Sequence, residues 1–314
     1  MSTACPVCGG DSAPAGPAPD WGEWRRCQAC ALSYVNPLPT DHNPVVVYGS
    51  AYNGSIARNR MDDFSLRLRL ADAFAADPTL AFWTPAYEHV LEWLSETLNP
   101  RSTVLELGCS TGLFLRALKQ RGFNAVGLEV AEPAVERARF NGFSVWHGTV
   151  ESAPKTWAEP DAIVAMFMLH HVPDPVVFLT AIRAKWPDAP IAIAQYGEMN
   201  RDPIRSQPPR AFTWWNPQAL RTLLKASGYS ALVRELPSGG TEGRPFRLAH
   251  AAIRPILPML PPSLLRARNR FTFRLMPKVL AREKRDSWTL VAIGKPLSAD
   301  EYLAYVPNLR SAEG

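Results

Sequence analysis

Thr103-Val104-Leu105-Glu106-Leu107 runs directly into Gly108-Cys109-Ser110-Thr111-Gly112 and then into Leu113 to Arg121, and this stretch decides the fold. A short apolar run closed by a glycine turn reads as a buried strand, and the turn opens a helix that Gly122 ends. Ala125-Val126-Gly127-Leu128-Glu129-Val130 follows as a second strand ending in an acid. Pro133 begins a second helix that runs to Phe140 and stops before Gly142. Further strands are expected at Phe143 to Trp146, Asp161 to Phe167 and Ile191 to Tyr196. Strands alternating with helices at this spacing predict an α/β fold with a doubly wound, mostly parallel sheet.

In such a sheet, ligands bind at the carboxyl ends of the strands. The glycine turn after the first strand lets a ligand approach the backbone. The carboxylate of Glu129, about twenty residues further on, can accept both hydroxyls of a ribose. The turn is not G-x-G-x-x-G, so a dinucleotide is not favoured.

Outward from this unit, Val104 to Gly112 resembles the first motif of the Rossmann-like, class I S-adenosylmethionine-dependent methyltransferases. Gly127-Leu128-Glu129-Val130-Ala131 is similar to their second motif and His147-Gly148-Thr149-Val150-Glu151 to their third. His170-His171-Val172-Pro173-Asp174-Pro175 resembles the segment after their fourth strand. Asn216 to Tyr229 looks like their late helix, and Trp288 to Gly294 like their last, antiparallel strand. The resemblance covers most of the chain except Pro237 to Asp286. It implies that Gly108, Ser110 and Gly112 line the methionine part of S-adenosylmethionine and that Glu106 holds its ammonium. It also implies that Glu129 binds the ribose, that Thr149 and Val150 border the adenine, and that Phe167 and Met168 lie beside the sulfonium. Ser110 replaces the usual middle glycine, which is tolerable where that residue avoids positive φ. Thr149 replaces an acid that often bonds the adenine amine, and His170 stands where many relatives carry Glu.

Methyl transfer from a sulfonium needs positioning and desolvation, and a base only when the nucleophile is protonated. His171 is the first candidate base and His170 the second; the bland alternative is that they bond to backbone or pack. Tyr52, with Tyr48, is a candidate for closing over the reacting methyl, against simple packing of a lid. Trp214 and Trp215 are read as packing between domains rather than as a substrate wall. Cys109 is read as packing, not as a nucleophile.

The N-terminus carries Cys5, Cys8, Cys27 and Cys30, a C-x2-C-x18-C-x2-C pattern. Two such knuckles offer four thiolates to one tetrahedral Zn²⁺. A four-cysteine site leaves no position for water, so this metal is expected to be structural. A disulfide pair would suit a secreted chain, and no signal-like segment is visible. A zinc ribbon followed by a paired-Tyr segment also resembles a small-molecule branch of the methyltransferases whose best-known members methylate carbon on nucleotide-linked sugars.

Composition bounds the rest. The 314 residues are 46% hydrophobic and 20% charged, with 30 prolines, which excludes a disordered or a long all-helical chain. The net charge of +5 is local. Ser238 to Ser287 holds eleven Arg or Lys against three acids, a surplus of eight that leaves the remainder three negative charges in excess. The expected organisation is a zinc ribbon over 1–40, a helical lid over 41–100 with helices at 61–76 and 85–98, a core over 101–236 and 287–296, a basic insertion over 237–286 and a tail over 297–314. The function expected is S-adenosylmethionine-dependent methylation of oxygen or carbon on a small metabolite, in the cytoplasm. Three other readings compete. One is an rRNA base methyltransferase, disfavoured because no Asn/Asp-Pro-Pro-aromatic tetrad and no RNA-binding module is visible. Another is a membrane-surface enzyme using 251–285 to reach a lipid-linked substrate, although Pro255, Pro258, Pro261 and Pro262 break any long amphipathic helix there. The last is a scaffold without cofactor, against which the Gly108, Gly112 and Glu129 set argues.

Overall fold

A computed structural model describes residues 4–18, 20–38, 84–157, 159–197, 208, 211–237 and 288–302. Tyr48, Tyr52, the helix expected over 61–76, most of the 41–100 segment and nearly all of the 237–286 insertion lie outside the described residues.

Three strands come first, β1 (Ser12–Ala18), β2 (Gly22–Cys27) and β3 (Ser33–Asn36), paired antiparallel in sequence order. The core then runs α1 (Thr84–Thr97), β4 (Thr103–Leu107), α2 (Leu113–Gln120), β5 (Asn124–Glu129), α3 (Glu132–Phe140) and β6 (Ser144–His147). It continues with β7 (Ala162–Met166), α4 (Pro175–Lys185), β8 (Ile191–Tyr196), β9 (Thr213–Trp214), α5 (Pro217–Ala226), β10 (Leu232–Pro237) and β11 (Trp288–Gly294).

Seven strands make the main sheet in the order β10-β11-β8-β7-β4-β5-β6. Pairings from β8 through β6 are all parallel, and β11 runs antiparallel to both β8 and β10. This is the expected Rossmann-like methyltransferase sheet with its antiparallel last strand. Strand β10, which the sequence pattern did not single out, forms the outer edge beyond it.

Strict alternation sorts each strand between two cores. Leu105, Leu107, Ile163, Ala165, Ile191 and Ile193 face α4 and α5. Val104, Val164, Ala192 and Ala194 face α1 and α2. Both helices on the first face are capped by the residue before a proline. Asp174 accepts from the Val177 amide at 2.9 Å and Asn216 from the Ala219 amide at 3.0 Å. Such caps satisfy amides that the first helical turn cannot.

The cysteine-bearing strands do not stand apart. β9, from the core, completes their sheet by pairing antiparallel with β3, Ser33 opposite Trp214 and Tyr34 opposite Thr213. The Asn216 side chain that caps α5 also donates through Nδ2 to the Ala31 carbonyl at 2.7 Å, and Gln218 donates to the Ala29 carbonyl at 2.7 Å. Trp214 and Trp215 are buried, Trp214 in one small core with Trp24 and Val35, and Trp215 in the larger core that also takes the ribbon's Leu32 and Tyr34.

Candidate functional site

The order of the main sheet reverses at β4, which lies between β5 and β7. A crevice opens at such a point beyond the carboxyl ends of the strands. Glycine turn, second-strand acid and post-β7 segment all end there.

The turn is held tightly. The amides of Gly108 and Cys109 both donate to the Leu128 carbonyl, at 2.7 and 3.1 Å. Gly108 has φ +67, and a Cβ on it would lie 3.1 Å from the Met168 Cβ. Met168 therefore packs directly over the turn. Gly127, on β5, is required for a different reason: a Cβ there would lie 2.5 Å from the Cys109 Sγ. Cys109 is buried, its thiol pushed well up by desolvation, and it packs as expected. Ser110 departs from expectation. Its φ is +48, so the residue that was to avoid the left-handed region sits in it. The left-handed pocket is narrow but open to L-residues at about 1–2 kcal/mol. A hydrogen bond from its amide offsets that cost.

The acceptor of that bond is Glu129. Its Oε2 accepts the Ser110 amide at 2.8 Å, while Oε1 accepts the Val130 and Ala131 amides at 2.8 and 2.9 Å. Burial raises its pKa and the three amides oppose the rise. Glu106, on the same face of the neighbouring strand, is buried with Oε2 lacking a partner among the described residues. Desolvation first and the Glu129 charge second hold its pKa well above the usual carboxylate range. Two buried carboxyl groups, each raised by desolvation and Glu106 also by the Glu129 charge, suit a cationic ligand. An ammonium or sulfonium would offset both penalties. The donor set thus fits S-adenosylmethionine, with one condition. A carboxylate offers about four acceptor positions, and three on Glu129 are already taken by amides.

Tyr87, from α1, is a neighbour that sequence reasoning treated only as a core position. Burial first, and then the charges of Glu106 and Tyr196, push its phenol well up. Its ring meets Phe114 edge-on at 4.6 Å. On the other side, Val150 is buried and Thr149 half-buried beyond β6, where the Thr149 amide donates to the Ser152 hydroxyl at 2.9 Å.

Beyond β7, Phe167 (φ +56) brings its ring 4.6 Å from that of Tyr196. Leu169 to His171 form a single 3₁₀ turn. The half-buried His170 ring lies 3.9 Å from His171, 5.9 Å from Tyr196 and 6.3 Å from Trp214, nearly parallel to the last. Burial pushes the His170 pKa down to about 4. Neither Gln195 nor Tyr196 belongs to a motif of the sequence. The polar Gln195 in the apolar run Ile191-Ala192-Ile193-Ala194 was the available signal.

The four ribbon sulfurs converge as their spacing predicts. Cys5 and Cys30 Sγ are 3.7 Å apart, Cys8 and Cys27 Sγ 3.4 Å, and all four lie within 4.8 Å of one another. A tetrahedral Zn²⁺ with Zn–S near 2.3 Å needs sulfurs separated by about 3.8 Å. The five cysteines are unpaired, and the sulfur separations suit a shared metal better than a disulfide. Among the described residues no helix is long and apolar enough to cross a membrane.

Residues 81–233 match a family model described as a methyltransferase domain. The ribosomal protein L11 methyltransferase of Paraburkholderia phytofirmans is 26% identical over 191 residues, 48% of this chain and 61% of that protein. That of Burkholderia thailandensis is 36% identical over 97 residues, 28% of this chain and 32% of the relative. The chain thus spans about six tenths, or less, of the length of these curated relatives. Among solved structures, one similar chain comes from the complex between the Haloferax volcanii Trm112 methyltransferase activator and a methyltransferase. It is 18% identical, with TM-score 0.46, covering 73% of this chain and 98% of that one. Another is Haemonchus contortus phosphoethanolamine N-methyltransferase 2, 14% identical, TM-score 0.48, covering 68% and 52%. Residues 81–233, just under half of the chain, are thus similar to a methyltransferase domain, and the glycine turn at the switch point of the sheet lies within that match.

Proposed function

We propose that this protein transfers a methyl group from S-adenosylmethionine to an oxygen or carbon atom of a small-molecule metabolite. The observation that carries the acceptor class is the wall of Phe167, Tyr196 and His170, aromatic rings around an imidazole that burial keeps neutral. Such a wall suits a compact, uncharged acceptor better than a phosphate backbone, which would call for cationic side chains.

S-adenosylmethionine supplies an electrophilic methyl on a sulfonium. The residues of this chain bind, orient and exclude water. Glu129 takes the ribose, Glu106 the ammonium through water or backbone, and Gly108, Ser110 and Gly112 give the backbone approach. Thr149 and Val150 border the adenine. Phe167 and Met168 hold the reacting group against the aromatic wall, where no water competes as nucleophile. His171 removes the acceptor proton where there is one, and Tyr52 closes from the lid. The cysteine cluster holds a structural Zn²⁺ that keeps the ribbon folded against the core. The branch that methylates nucleotide-linked sugars is the working model.

The likeness to ribosomal protein L11 methyltransferase favours a second reading, a macromolecular acceptor. Two measurements separate them. Calorimetric titration with S-adenosylmethionine and S-adenosylhomocysteine, beside a Glu129→Ala variant, is expected to give micromolar binding that the variant loses. Transfer of labelled methyl in a cell extract is then expected in the small-molecule fraction. Label in ribosomal protein or RNA would move the assignment to the second reading, and absence of cofactor binding by the unaltered protein would remove both.

A further inference from the structure

Gln195 is out of place on β8. The strand reads Ile191-Ala192-Ile193-Ala194-Gln195-Tyr196, and its first five residues are all buried. Gln195 is fully buried, opposite Leu290 of β11. Burying a carboxamide without partners costs about 1–3 kcal/mol. Among the described residues its side chain makes one hydrogen bond. Nε2 lies 2.7 Å from the Nδ1 of His170, while Oε1 has no partner. A polar group in an apolar strand, satisfied at one end only, is explained by what that end holds.

What it holds is well fixed otherwise. The His170 carbonyl accepts the Phe212 amide at 2.8 Å, and the ring is flanked by His171, Tyr196 and Trp214. Its orientation is set by packing and its backbone by pairing. The remaining freedom is which ring nitrogen carries the proton. An imidazole that accepts at Nδ1 carries its hydrogen on Nε2.

We infer that Gln195 is a positioning residue that locks His170 as the Nε2–H tautomer, making it a hydrogen-bond donor to the methyl acceptor and not a base. This rests on the methyl-transfer reading for its purpose, though not for its geometry. An uncharged donor beside the reacting methyl suits a substrate with an acceptor oxygen next to the methylated atom, such as a carbonyl or an enolate. It disfavours protonated amines, which bring only donors. The base role then falls to His171 alone. Among the described residues, the titratable groups that face the His170 ring are His171 and Tyr196, and neither is a carboxylate that would charge it.

The test is nitrogen-detected NMR of the full chain labelled with ¹⁵N-histidine, with His170 signals assigned by their loss in His170→Asn. The expected spectrum has a pyrrole-type Nε2 and a pyridine-type Nδ1 that do not change between pH 8 and pH 6. Gln195→Leu keeps the apolar strand and is expected to give averaged nitrogen shifts, a mixture of tautomers. Gln195→Glu is expected to move the proton to Nδ1 and to shift the titration of the ring upward by at least one pH unit. A protonated Nδ1 in the unaltered protein, or an unchanged spectrum in Gln195→Leu, would overturn the assignment. Cofactor binding is measured on the same samples. Loss of binding by the unaltered protein with the expected tautomer present would sink the methyl-transfer reading and leave the Gln195–His170 lock standing.

Discussion

The Ser110 amide donates to Glu129 Oε2 at 2.8 Å, joining the turn after β4 to the end of β5. The same carboxylate that is to receive the ribose therefore also closes the turn. With two amides on Oε1 and one on Oε2, only one acceptor position is left. To accept both hydroxyls of a diol, Glu129 must exchange the Ser110 bond for one of them. Cofactor binding should thus free the Ser110 amide. Glu129→Ala is expected to abolish cofactor binding and to cost about 3 kcal/mol, since three amides lose their acceptor. Glu129→Gln keeps one oxygen and is expected to lose at least 100-fold in affinity at a smaller stability cost. Calorimetry and denaturant melts read the two effects separately; unchanged affinity in Glu129→Gln would argue that the ribose binds elsewhere.

Ser110 carries a penalty that the sequence pattern did not anticipate. At φ +48 it occupies a pocket that a glycine enters freely. Ser110→Gly removes roughly 1–2 kcal/mol of strain. It also adds about 0.5–1 kcal/mol of chain entropy to be lost on folding. The net expected gain is about 0.5 kcal/mol from these two opposing terms, with cofactor affinity within twofold. A drop in stability would mean that the Ser110 side chain makes a contact of its own in the folded state.

The elements around this turn were legible because local chemistry fixes them. The glycines of 108 and 112, the acid ending β5 and the doubled knuckle all act over a few residues. What sequence alone did not show lies in long-range pairing. Nothing in Thr213-Trp214 reads as a strand, because those two residues pair with Ser33 and Tyr34 from the far end of the chain. Strand β10 escaped for the same reason, its register being set by β11. Gln195 was visible as a polar break in an apolar run, but its meaning required knowing that β8 ends beside His170. The Tyr87 phenol was read as one more apolar position of α1 and instead faces the charge of Glu106.

The His170 ring gives the stability a pH dependence with a defined sign. Burial lowers its pKa from 6.5 to about 4, so the folded chain binds fewer protons there than the unfolded chain between those values. Its contribution is complete above pH 6.5 and is lost as pH falls toward 4. Because the ring is half-buried and not sealed, the loss should be on the order of 2 kcal/mol, below what the full shift implies. Chemical denaturation at pH 7 and pH 4.5 is expected to show this difference, and His170→Gln to reduce it. An equal slope in the variant would assign the acid sensitivity to other groups.

Metal removal should reach the cleft through a short chain of backbone bonds. The Phe212 carbonyl accepts the Val35 amide at 3.0 Å, and the Phe212 amide donates to the His170 carbonyl at 2.8 Å. Phe212 thus ties the last ribbon strand to the site histidine. Asn216 and Gln218 fix the second knuckle to α5 through the Ala31 and Ala29 carbonyls. Four thiols within 4.8 Å of one another cannot all ionise without a cation, so a chelator that strips Zn²⁺ should loosen the knuckles and then the β3–β9 pairing. The core on the α1–α2 face of the seven-stranded sheet contains no ribbon residue, so the sheet should persist. The expected result is about one zinc per chain by elemental analysis. On chelation, fluorescence of the seam residues Trp24, Trp214 and Trp215 should shift while far-ultraviolet circular dichroism changes little. Cys30→Ala should behave like the chelated protein, and zinc should restore only the unaltered chain. Full unfolding on chelation would mean that the ribbon nucleates the whole fold, and no tryptophan response would mean that the seam holds without the metal.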